Sequence, residues 1–310
     1  MLDENPQFEI KAENLRNQGL ASLQNAEPFK TFKQWRGVIA HLVLFSLAIG
    51  YYGYLQISEG QEGPLSFLIL GLVVLVPLER LMPRHNQRIL RRGMHVDLLH
   101  AVLTGLLAYL PVMLIFPLLD SIRSQSLTAS IAELPLLAQI ALAFLAQEFL
   151  IYWGHRFSHE IPILWRFHSV HHSSEKLDWL AGERRHPIDG AIMAFFVGVP
   201  LLFIGFDLID LLWLGVFNSL WDMTIHANLR WRLRFMQGLW VTTEYHHWHH
   251  VADQNIRNRN YAGALPVFDW LFGTYYLPKD KSPSGYGIDT PMPNSYLGQL
   301  SQPFRLNDRG

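Results

Sequence analysis

Histidine is the residue whose number and spacing could do chemistry in this sequence. Fifteen of the 310 residues are histidines, and eight of them recur at helical spacing within three short clusters. The clusters contain His155 and His159, then His168, His171 and His172, and finally His246, His249 and His250. Histidines four residues apart share one face of a helix, so such a pair can bind one metal. Eight imidazoles exceed what one transition metal accepts, and the sequence therefore predicts a site for two metals.

The second and third clusters repeat one spacing, in which a histidine is followed three and four residues later by two more. On a helix the three side chains fall on one face, so we expect His168, His171 and His172 to converge on one volume. His247 is left over from this spacing in the third cluster and points elsewhere on a helix, as a candidate either to bind metal or to support a neighbouring ligand. Imidazole suits iron, copper, nickel and zinc, so ligand type leaves the metal open. Cysteine is absent, which excludes thiolate zinc sites, cysteine-ligated iron–sulfur clusters and disulfides.

Other residues lie close enough in sequence to join this site. His226, one turn after Asp222, is expected to be a ninth metal ligand. Asp222 is a ligand, an acceptor beside one, or an acid satisfied by a nearby arginine. His186 either binds metal or caps the next helix. Glu148 lies two turns before His155, and we expect it to accept the hydrogen of the ring nitrogen that does not bind metal.

Long apolar segments must position these clusters. Half of the residues are hydrophobic and 16% are charged, against about 25% charged in soluble domains. The sequence predicts about four transmembrane helices, each near the roughly 20 residues that cross a bilayer, followed by a membrane-embedded helical hairpin. The predicted ranges are 35–55, 65–81, 96–119, 134–153, 188–204 and 208–225. The alternative of buried helices in a soluble bundle is disfavoured because these segments have almost no polar face.

Basic residues predict the orientation of these helices. Lys30, Lys33 and Arg36 precede the first helix, and arginines fill the loop from 80 to 92 after the second. Cytoplasmic loops are enriched in lysine and arginine, so both loops and all three histidine clusters should be cytoplasmic. We therefore expect an all-α, multi-pass integral membrane protein with a cytoplasmic, histidine-rich helical cap, placed in the inner membrane if the protein is bacterial. Polar tails at 1–34 and 278–310 should flank a membrane domain at 35–277.

Together these residues resemble the fatty acid hydroxylase/sterol desaturase superfamily of membrane di-iron enzymes. Its order of HxxxH, HxxHH and a distal HxxHH is matched by the clusters at 155–159, 168–172 and 246–250. Segments 171–175, 186–189, 226–231 and 260–274 also resemble its signatures. Many members of the superfamily have a histidine where this chain has Asp222, so a mixed nitrogen and oxygen ligand set is an alternative here.

The resemblance implies two iron ions, dioxygen as co-substrate, and electrons from an external donor such as a ferredoxin with its reductase. The activity that it implies is hydroxylation or desaturation of a membrane lipid, such as a fatty acyl chain or a sterol. A membrane metal transporter and a zinc-dependent membrane hydrolase are the alternatives. Transport sites lie near the bilayer midplane, and hydrolytic zinc needs only three protein ligands. A net charge of -1 argues against nucleic acid as a partner.

Overall fold

The structure is a computed structural model that describes residues 71–104, 107, 114, 123–206, 208–231, 236–279 and 281–305. The predicted tail at 1–34, the predicted span at 35–55, the start of the span at 65–81 and most of the span at 96–119 lie outside these residues. Within the described residues the chain is helical, with two isolated antiparallel bridges and no β-strand. This agrees with the predicted all-α class.

Eleven α-helices are described in this part of the chain. They are α1 (Val76–Leu81), α2 (Met94–Leu99), α3 (Gln125–Ala132), α4 (Leu136–Glu160), α5 (Pro162–His172), α6 (Pro187–Ile204), α7 (Leu208–His226), α8 (Thr243–His249), α9 (Gln254–Arg257), α10 (Val267–Leu271) and α11 (Tyr296–Ser301). Single π-helical turns adjoin α1 and α2 at Gly71–Leu75 and His100–Thr104, and 3-10 turns lie at Ala181–Glu183 and Gln302–Phe304.

Two of the described helices are long and apolar enough to cross a membrane. Helix α4 has 25 residues and a mean hydropathy of 1.6, and α6 has 18 residues and a mean hydropathy of 2.0. Only 22% and 17% of these apolar windows are buried inside the protein. The core helix of a soluble bundle would be mostly buried, so this exposure favours membrane association. Helix α7 follows α6 after residues 205–207 and packs against it, which gives the predicted hairpin of helices.

Proline sets the sharp connection between α4 and α5. Ile161 adopts an extended conformation, as expected of a residue that precedes a proline, and Pro162 begins α5 at a position where the missing N–H costs nothing. The two helices pack closely against each other as a result. The end of α4, with its histidines, therefore lies beside the histidines of α5.

The start and the end of α6 are fixed by different devices. At the start, the His186 side chain accepts a hydrogen bond from the backbone N–H of Ile188, and Pro187 follows as the first helical residue. At the end, Gly205 adopts φ 112°, and a side chain there would lie 2.6 Å from the backbone nitrogen of Thr128. Glycine is required at this position both by its backbone conformation and by the close approach of α3.

A buried cluster of charges lies between α2 and the turn at Ala181–Glu183. Asp97 is fully buried and contacts two arginines, Arg184 at 2.5 Å and Arg91 at 2.6 Å. Arg91 also binds Asp178 through two hydrogen bonds of 2.5 and 2.7 Å. Alternating signs leave each charge with an opposite partner, which is the condition for keeping charges inside a protein.

The segment 281–305 folds against this helical body. Gln299 Oε1 lies 2.8 Å from His100 Nε2, and the carbonyl of Leu300 lies 3.1 Å from His186 Nε2. Tyr286 is buried and pairs with Val251 in one of the isolated bridges. The polar segment that the sequence predicts as a tail at 278–310 thus contacts the turn after α2, the start of α6 and the residues after α8.

Replacing the central acid of the buried charge cluster should destabilise the fold. In Asp97→Asn, two buried guanidinium groups lose their shared anion, and we expect a loss of about 3 kcal/mol. Thermal unfolding of the detergent-purified protein measures this. The matched control is Glu160→Gln, which breaks the partly exposed Arg156–Glu160 pair and should cost less than about 1 kcal/mol. Equal losses in the two variants would contradict the interpretation.

Candidate metal centre

The structure brings all nine predicted histidine ligands into two compact groups. The five-histidine group contains His155, His159, His168, His172 and His249, and the four-histidine group contains His171, His226, His246 and His250. Within each group the potential ligand atoms lie within 4.8 Å of one another. Eight of the nine side chains are buried, and His155 is half-buried. The sequence clusters therefore meet in space although they are separated along the chain.

The groups divide the sequence clusters in a way that the spacing alone did not predict. We expected His168, His171 and His172 to converge on one volume, but His171 joins a different group from its two neighbours. The same holds for His249, which separates from His246 and His250. In each cluster the histidines four residues apart stay together, because they lie nearly above one another on the helix, and the third points about 100° away.

Backbone carbonyls fix the orientation of several of these imidazoles. Nδ1 of His155 lies 2.8 Å from the Tyr261 carbonyl, and Nδ1 of His249 lies 2.7 Å from the Arg259 carbonyl. A carbonyl can only accept, so each Nδ1 must carry the hydrogen and each Nε2 must present a lone pair. Nε2 of His249 is buried without a hydrogen-bond partner. Such an atom costs free energy unless something else, such as a metal, binds it.

Four of the five histidines in the five-histidine group have buried ring nitrogens without a hydrogen-bond partner. His159 and His172 have no hydrogen-bond partner on either ring nitrogen, although both side chains are buried. His168 differs, because its Nδ1 donates to Asp189 at 3.1 Å while its Nε2 is unpartnered. Unpaired polar atoms at this density are rare in a protein interior. They fit a cation held among the free nitrogens.

The distances between nitrogens in the four-histidine group also fit a bound cation. Nε2 of His226 lies 2.9 Å from that of His246 and 3.1 Å from those of His171 and His250. The Nδ1 atoms of His226 and His171 donate to the carbonyls of Asp222 and Arg184, so both Nε2 atoms present lone pairs to each other. Facing lone pairs repel unless a cation lies between them. Nitrogens bound at right angles around a metal at about 2.1 Å would lie about 3.0 Å apart, which matches these distances.

The two groups adjoin each other. His172 of one group stacks on His250 of the other, with ring centroids 4.3 Å apart, and the neighbouring rings of His171 and His172 lie 5.4 Å apart. Five and four nitrogens around neighbouring volumes suit two metal ions better than one. All nine side chains in the two groups are imidazoles, from the three sequence clusters and His226.

Burial keeps five of these nine imidazoles neutral at physiological pH. The pKa of each of five histidines outside the long apolar helices falls well below 6.5, first because burial disfavours the charged form and then because neighbouring histidines repel a second charge. These residues are His171, His172, His246, His249 and His250. Only the neutral ring has a free lone pair, so the protein environment favours the metal-binding form.

Gly182 allows His226 to reach its group. A side-chain carbon at position 182 would lie 2.7 Å from the ring of His226, closer than atoms approach in real proteins. The turn at Ala181–Glu183 therefore passes directly against this imidazole, and the adjacent residue Arg184 supplies the carbonyl that orients His171.

The four weaker candidates take other positions. Asp222 is paired with Arg185 at 2.5 Å and lies 3.6 Å from His226 Nδ1, on the side away from the four Nε2 atoms. His186 caps α6, which was one of its two predicted roles. His247 bonds to the hydroxyl of Tyr286 at 2.9 Å and to the carbonyl of Ala227 at 3.1 Å. The structure places all three outside both histidine groups.

The expected hydrogen bond between Glu148 and His155 does not form. Glu148 instead accepts from the backbone N–H groups of Ala264 at 2.6 Å and Leu265 at 2.9 Å. The Tyr261 carbonyl takes its place beside His155. The physical reason is that the loop at 261–265 packs over this face of α4 and satisfies both groups with its own backbone.

Asn260 is a functional residue that sequence reasoning missed. It adopts φ 60°, the left-handed conformation that non-glycine residues rarely take, between the two carbonyls that orient His249 and His155. Its side chain donates to the carbonyls of Tyr245 at 3.0 Å and Tyr276 at 2.7 Å. The Asn260 side chain holds the turn in place, and the turn aims two ligands. Asparagine tolerates this conformation better than most residues, and segment 260–274 resembles the superfamily, but neither signal predicts this role for Asn260.

The fold and site define a helical, membrane-associated protein with two adjoining histidine sites suited to a dinuclear metal centre. The model of the fatty acid hydroxylase family matches residues 140–274, which contain all nine histidines of the two groups, so this part of the chain is similar to that family.

Relatives named as lipid hydroxylases or monooxygenases are similar over about half of the chain. The chain is 33% identical to ornithine lipid hydroxylase OlsE of Rhizobium tropici over 175 residues, which cover 56% of this chain and 53% of that protein. It is 33% identical to alkylglycerol monooxygenase of Danio rerio over 151 residues, 49% of this chain and 33% of that protein. It is 31% identical to methylsterol monooxygenase 2-2 of Arabidopsis thaliana over 140 residues, 44% of this chain and 52% of that protein. The chain thus spans about half the length, or less, of these relatives. No solved structure matches significantly.

Substitutions at Asn260 should separate backbone strain from hydrogen bonding. Asn260→Gly keeps the left-handed conformation and loses the side-chain bonds, whereas Asn260→Ala loses the bonds and adds about 1–2 kcal/mol of strain. We expect both variants to bind less metal, with the alanine variant also melting at the lower temperature. Metal analysis and thermal unfolding measure the two effects. Asn255→Ala, at an exposed asparagine, is the control, and equal melting of the glycine and alanine variants would refute the strain argument.

Acid pH should remove the metal and weaken the fold. Below about pH 6.5 the histidines of the unfolded chain take up protons while the buried ones, with their lowered pKa, stay neutral. The folded state therefore loses stability as pH falls from about 6.5 towards the lower folded pKa, and protons compete for the ligand nitrogens over the same range. Metal retention and melting temperature should be compared at about pH 7.5 and about pH 5. Undiminished retention at the lower pH would show that the neutral-imidazole account is wrong.

Proposed function

We propose that this protein is an oxygen-dependent di-iron hydroxylase or desaturase that acts on a membrane lipid. The observation that carries the proposal is the pair of adjoining histidine groups, whose free Nε2 atoms are buried and face one another. The similarity to hydroxylases and monooxygenases of three lipid classes supports a lipid substrate. Ornithine lipids, alkylglycerols and sterols all present long unactivated hydrocarbon parts to an enzyme.

The nine histidines are the proposed ligands. His155, His159, His168, His172 and His249 would hold one iron, and His171, His226, His246 and His250 would hold the other. Asp222, His186, His247 and Glu148 are proposed to support the structure, because each already has a partner outside the two groups. Imidazole ligands also suit zinc and copper, so iron is proposed from the family resemblance together with the oxygen chemistry of the relatives.

The protein supplies orientation and dryness around the metals. Bound iron would supply the redox chemistry with dioxygen that breaks an unactivated C–H bond. The carbonyls of Arg184, Arg259 and Tyr261 hold three imidazoles in one tautomer with Nε2 directed inward. Burial of the groups excludes bulk water, which would otherwise compete for open metal positions. The apolar faces of α4 and α6 offer a lipid chain a path along the protein to the histidines at the end of α4.

The proposed reaction with dioxygen consumes electrons, which an external donor would supply. A ferredoxin with its reductase, docking on the cytoplasmic side, is the proposed donor. The proposed topology is a multi-pass protein with residues 35–277 as the oxygenase domain and the histidines on the cytoplasmic face. Segment 281–305 would then cover the cap from that side. The basic loop between 80 and 92 supports this orientation.

The transporter and hydrolase alternatives gain no support from the comparisons. A carrier site is expected in broken helices near the bilayer midplane, whereas the histidine groups lie at the ends of α4 and α7 and on short helices beyond them. A hydrolytic zinc ion needs three protein ligands and an open position, and nine histidines exceed that need.

Metal content and lipid products together test the proposal. The purified protein should contain about two irons per chain, and His249→Ala or His246→Ala, each removing one ligand from one group, should lower this towards about one. His95→Ala, at an exposed histidine outside both groups, is the matched control and should keep both irons. Lipids of cells that express the protein should gain one oxygen atom or lose two hydrogen atoms, only when oxygen is present.

Three results would reject or change the proposal. No bound metal would remove its basis. Full metal content in both histidine variants would show that the assigned ligands are wrong. An iron-loaded protein that leaves every lipid class unchanged in the presence of oxygen and a reducing system would exclude the proposed reaction while leaving the metal site intact.

A further inference from the structure

Helix α10 has its polar face inside and its apolar face outside. Asp269 is fully buried, and its carboxylate accepts from the backbone N–H groups of Tyr261 and Ala262, both at 2.8 Å. On the opposite face, Val267, Trp270 and Leu271 are 44%, 62% and 69% exposed. This spacing of three and four residues forms one helical stripe. A surface helix facing water would have the reverse arrangement.

The exposed stripe of α10 extends onto neighbouring apolar residues. Leu239 is 73% exposed, and the adjacent Gly238 lies against the Trp270 ring, where a side-chain carbon would come within 3.7 Å. Phe272, which follows α10, is also exposed. We call Leu239, Val267, Trp270, Leu271 and Phe272 the cap apolar patch. Contiguous exposed apolar residues of this kind mark an interaction surface.

The cap apolar patch is continuous with the exposed side of α4. Trp153 of α4 contacts Phe272 with ring centroids 4.9 Å apart, and the exposed Phe149 contacts Phe268 at 5.7 Å. From Phe149 an exposed stripe runs back along α4. It contains Ala138, Leu142, Leu145 and Phe149. Helix α4 is one of the two helices that are long and apolar enough to span a bilayer. A bilayer around α4 would therefore also contact the cap apolar patch.

Dimensions and composition fit a bilayer rather than another protein. At 1.5 Å per residue, the α4 stripe from Ala138 to Trp153 is about 23 Å long, somewhat less than the roughly 30 Å of a hydrocarbon core. Tryptophan and tyrosine are enriched where the hydrocarbon meets the headgroups. Trp153, Trp270 and Tyr275 gather at this end of the stripe, and the last two rings lie 5.2 Å apart.

We propose that α10 and the cap apolar patch are immersed in the headgroup–acyl boundary of the membrane, so that the cap is anchored by its own helix beside α4. The bilayer surface then lies near Trp153. His155 follows about 3 Å further along the helix axis, so a lipid reaches the histidine groups after only a short displacement out of the bilayer. This inference does not depend on the identity of the metal or on the reaction.

Single cysteine variants test the immersion directly, because the chain contains no natural cysteine. Leu271→Cys and Val267→Cys would carry a bimane fluorophore, and the full-length protein would be placed in nanodiscs. Brominated acyl chains quench a fluorophore in the bilayer, and iodide quenches one in water. Leu145→Cys, on the exposed stripe of α4, is the lipid control, and Asn255→Cys, in the exposed α9, is the water control.

Immersion predicts that both α10 variants are quenched by brominated lipid as strongly as Leu145→Cys and several-fold less by iodide than Asn255→Cys. Quenching by iodide at the level of Asn255→Cys would overturn the proposal. Protection from both quenchers would also overturn it. If the protection persists at one chain per nanodisc, another part of this chain covers α10. If it disappears at one chain per nanodisc, a second copy covers α10. Only variants that purify as monodisperse protein would be compared. The second α10 position keeps the test possible if one variant misfolds.

Discussion

Buried lone pairs that face one another are the constraint on which the rest of this structure depends. Nε2 atoms of His171 and His226 lie 3.1 Å apart, and the carbonyls behind both rings prevent either Nε2 from carrying a hydrogen. Without a cation this arrangement is repulsive, and protonation is opposed by burial. Helix packing, turns and ion pairs around the two groups must hold the imidazoles against that repulsion.

The supporting structure is built mainly from backbone. Carbonyls at 184, 259 and 261 orient three rings, and the segments that carry them are fixed by separate devices, namely the Arg184–Asp97 ion pair and the left-handed Asn260. The buried charge cluster is thus coupled to the metal centre through Arg184, which binds Asp97 with its side chain and orients His171 with its carbonyl. A substitution of Asp97 in α2 would therefore disturb the orientation of His171 through Arg184.

Sequence reasoning found the nine histidines because helical periodicity ties their spacing to their direction. It did not predict their division into groups of five and four. Whether His171 or His249 joins the other histidines of its cluster depends on which helix packs against that face. Glu148 is a second example of a contact that depends on distant residues. Its spacing from His155 suits a hydrogen bond, but its carboxylate accepts from the backbone of the loop at 261–265 instead. Backbone carbonyls leave no mark in a sequence, so the partners of the ring nitrogens could not be found from it. The helical class and the hairpin of α6 and α7 were predictable because apolar segments of nearly 20 residues are typical of helices that cross a membrane.

The break at Pro162 also affects the order in which the centre can be made. It places four members of the five-histidine group within residues 155–172, whereas the four-histidine group has only His171 from this stretch. A ribosome adding about 5–20 residues per second needs roughly 4–15 s to extend the chain from His172 to His246. During that interval one site is nearly complete and the other hardly exists. The two histidine groups therefore form at different times in a growing chain: the first from a local pair of helices, and the second only when the last histidines have been synthesised.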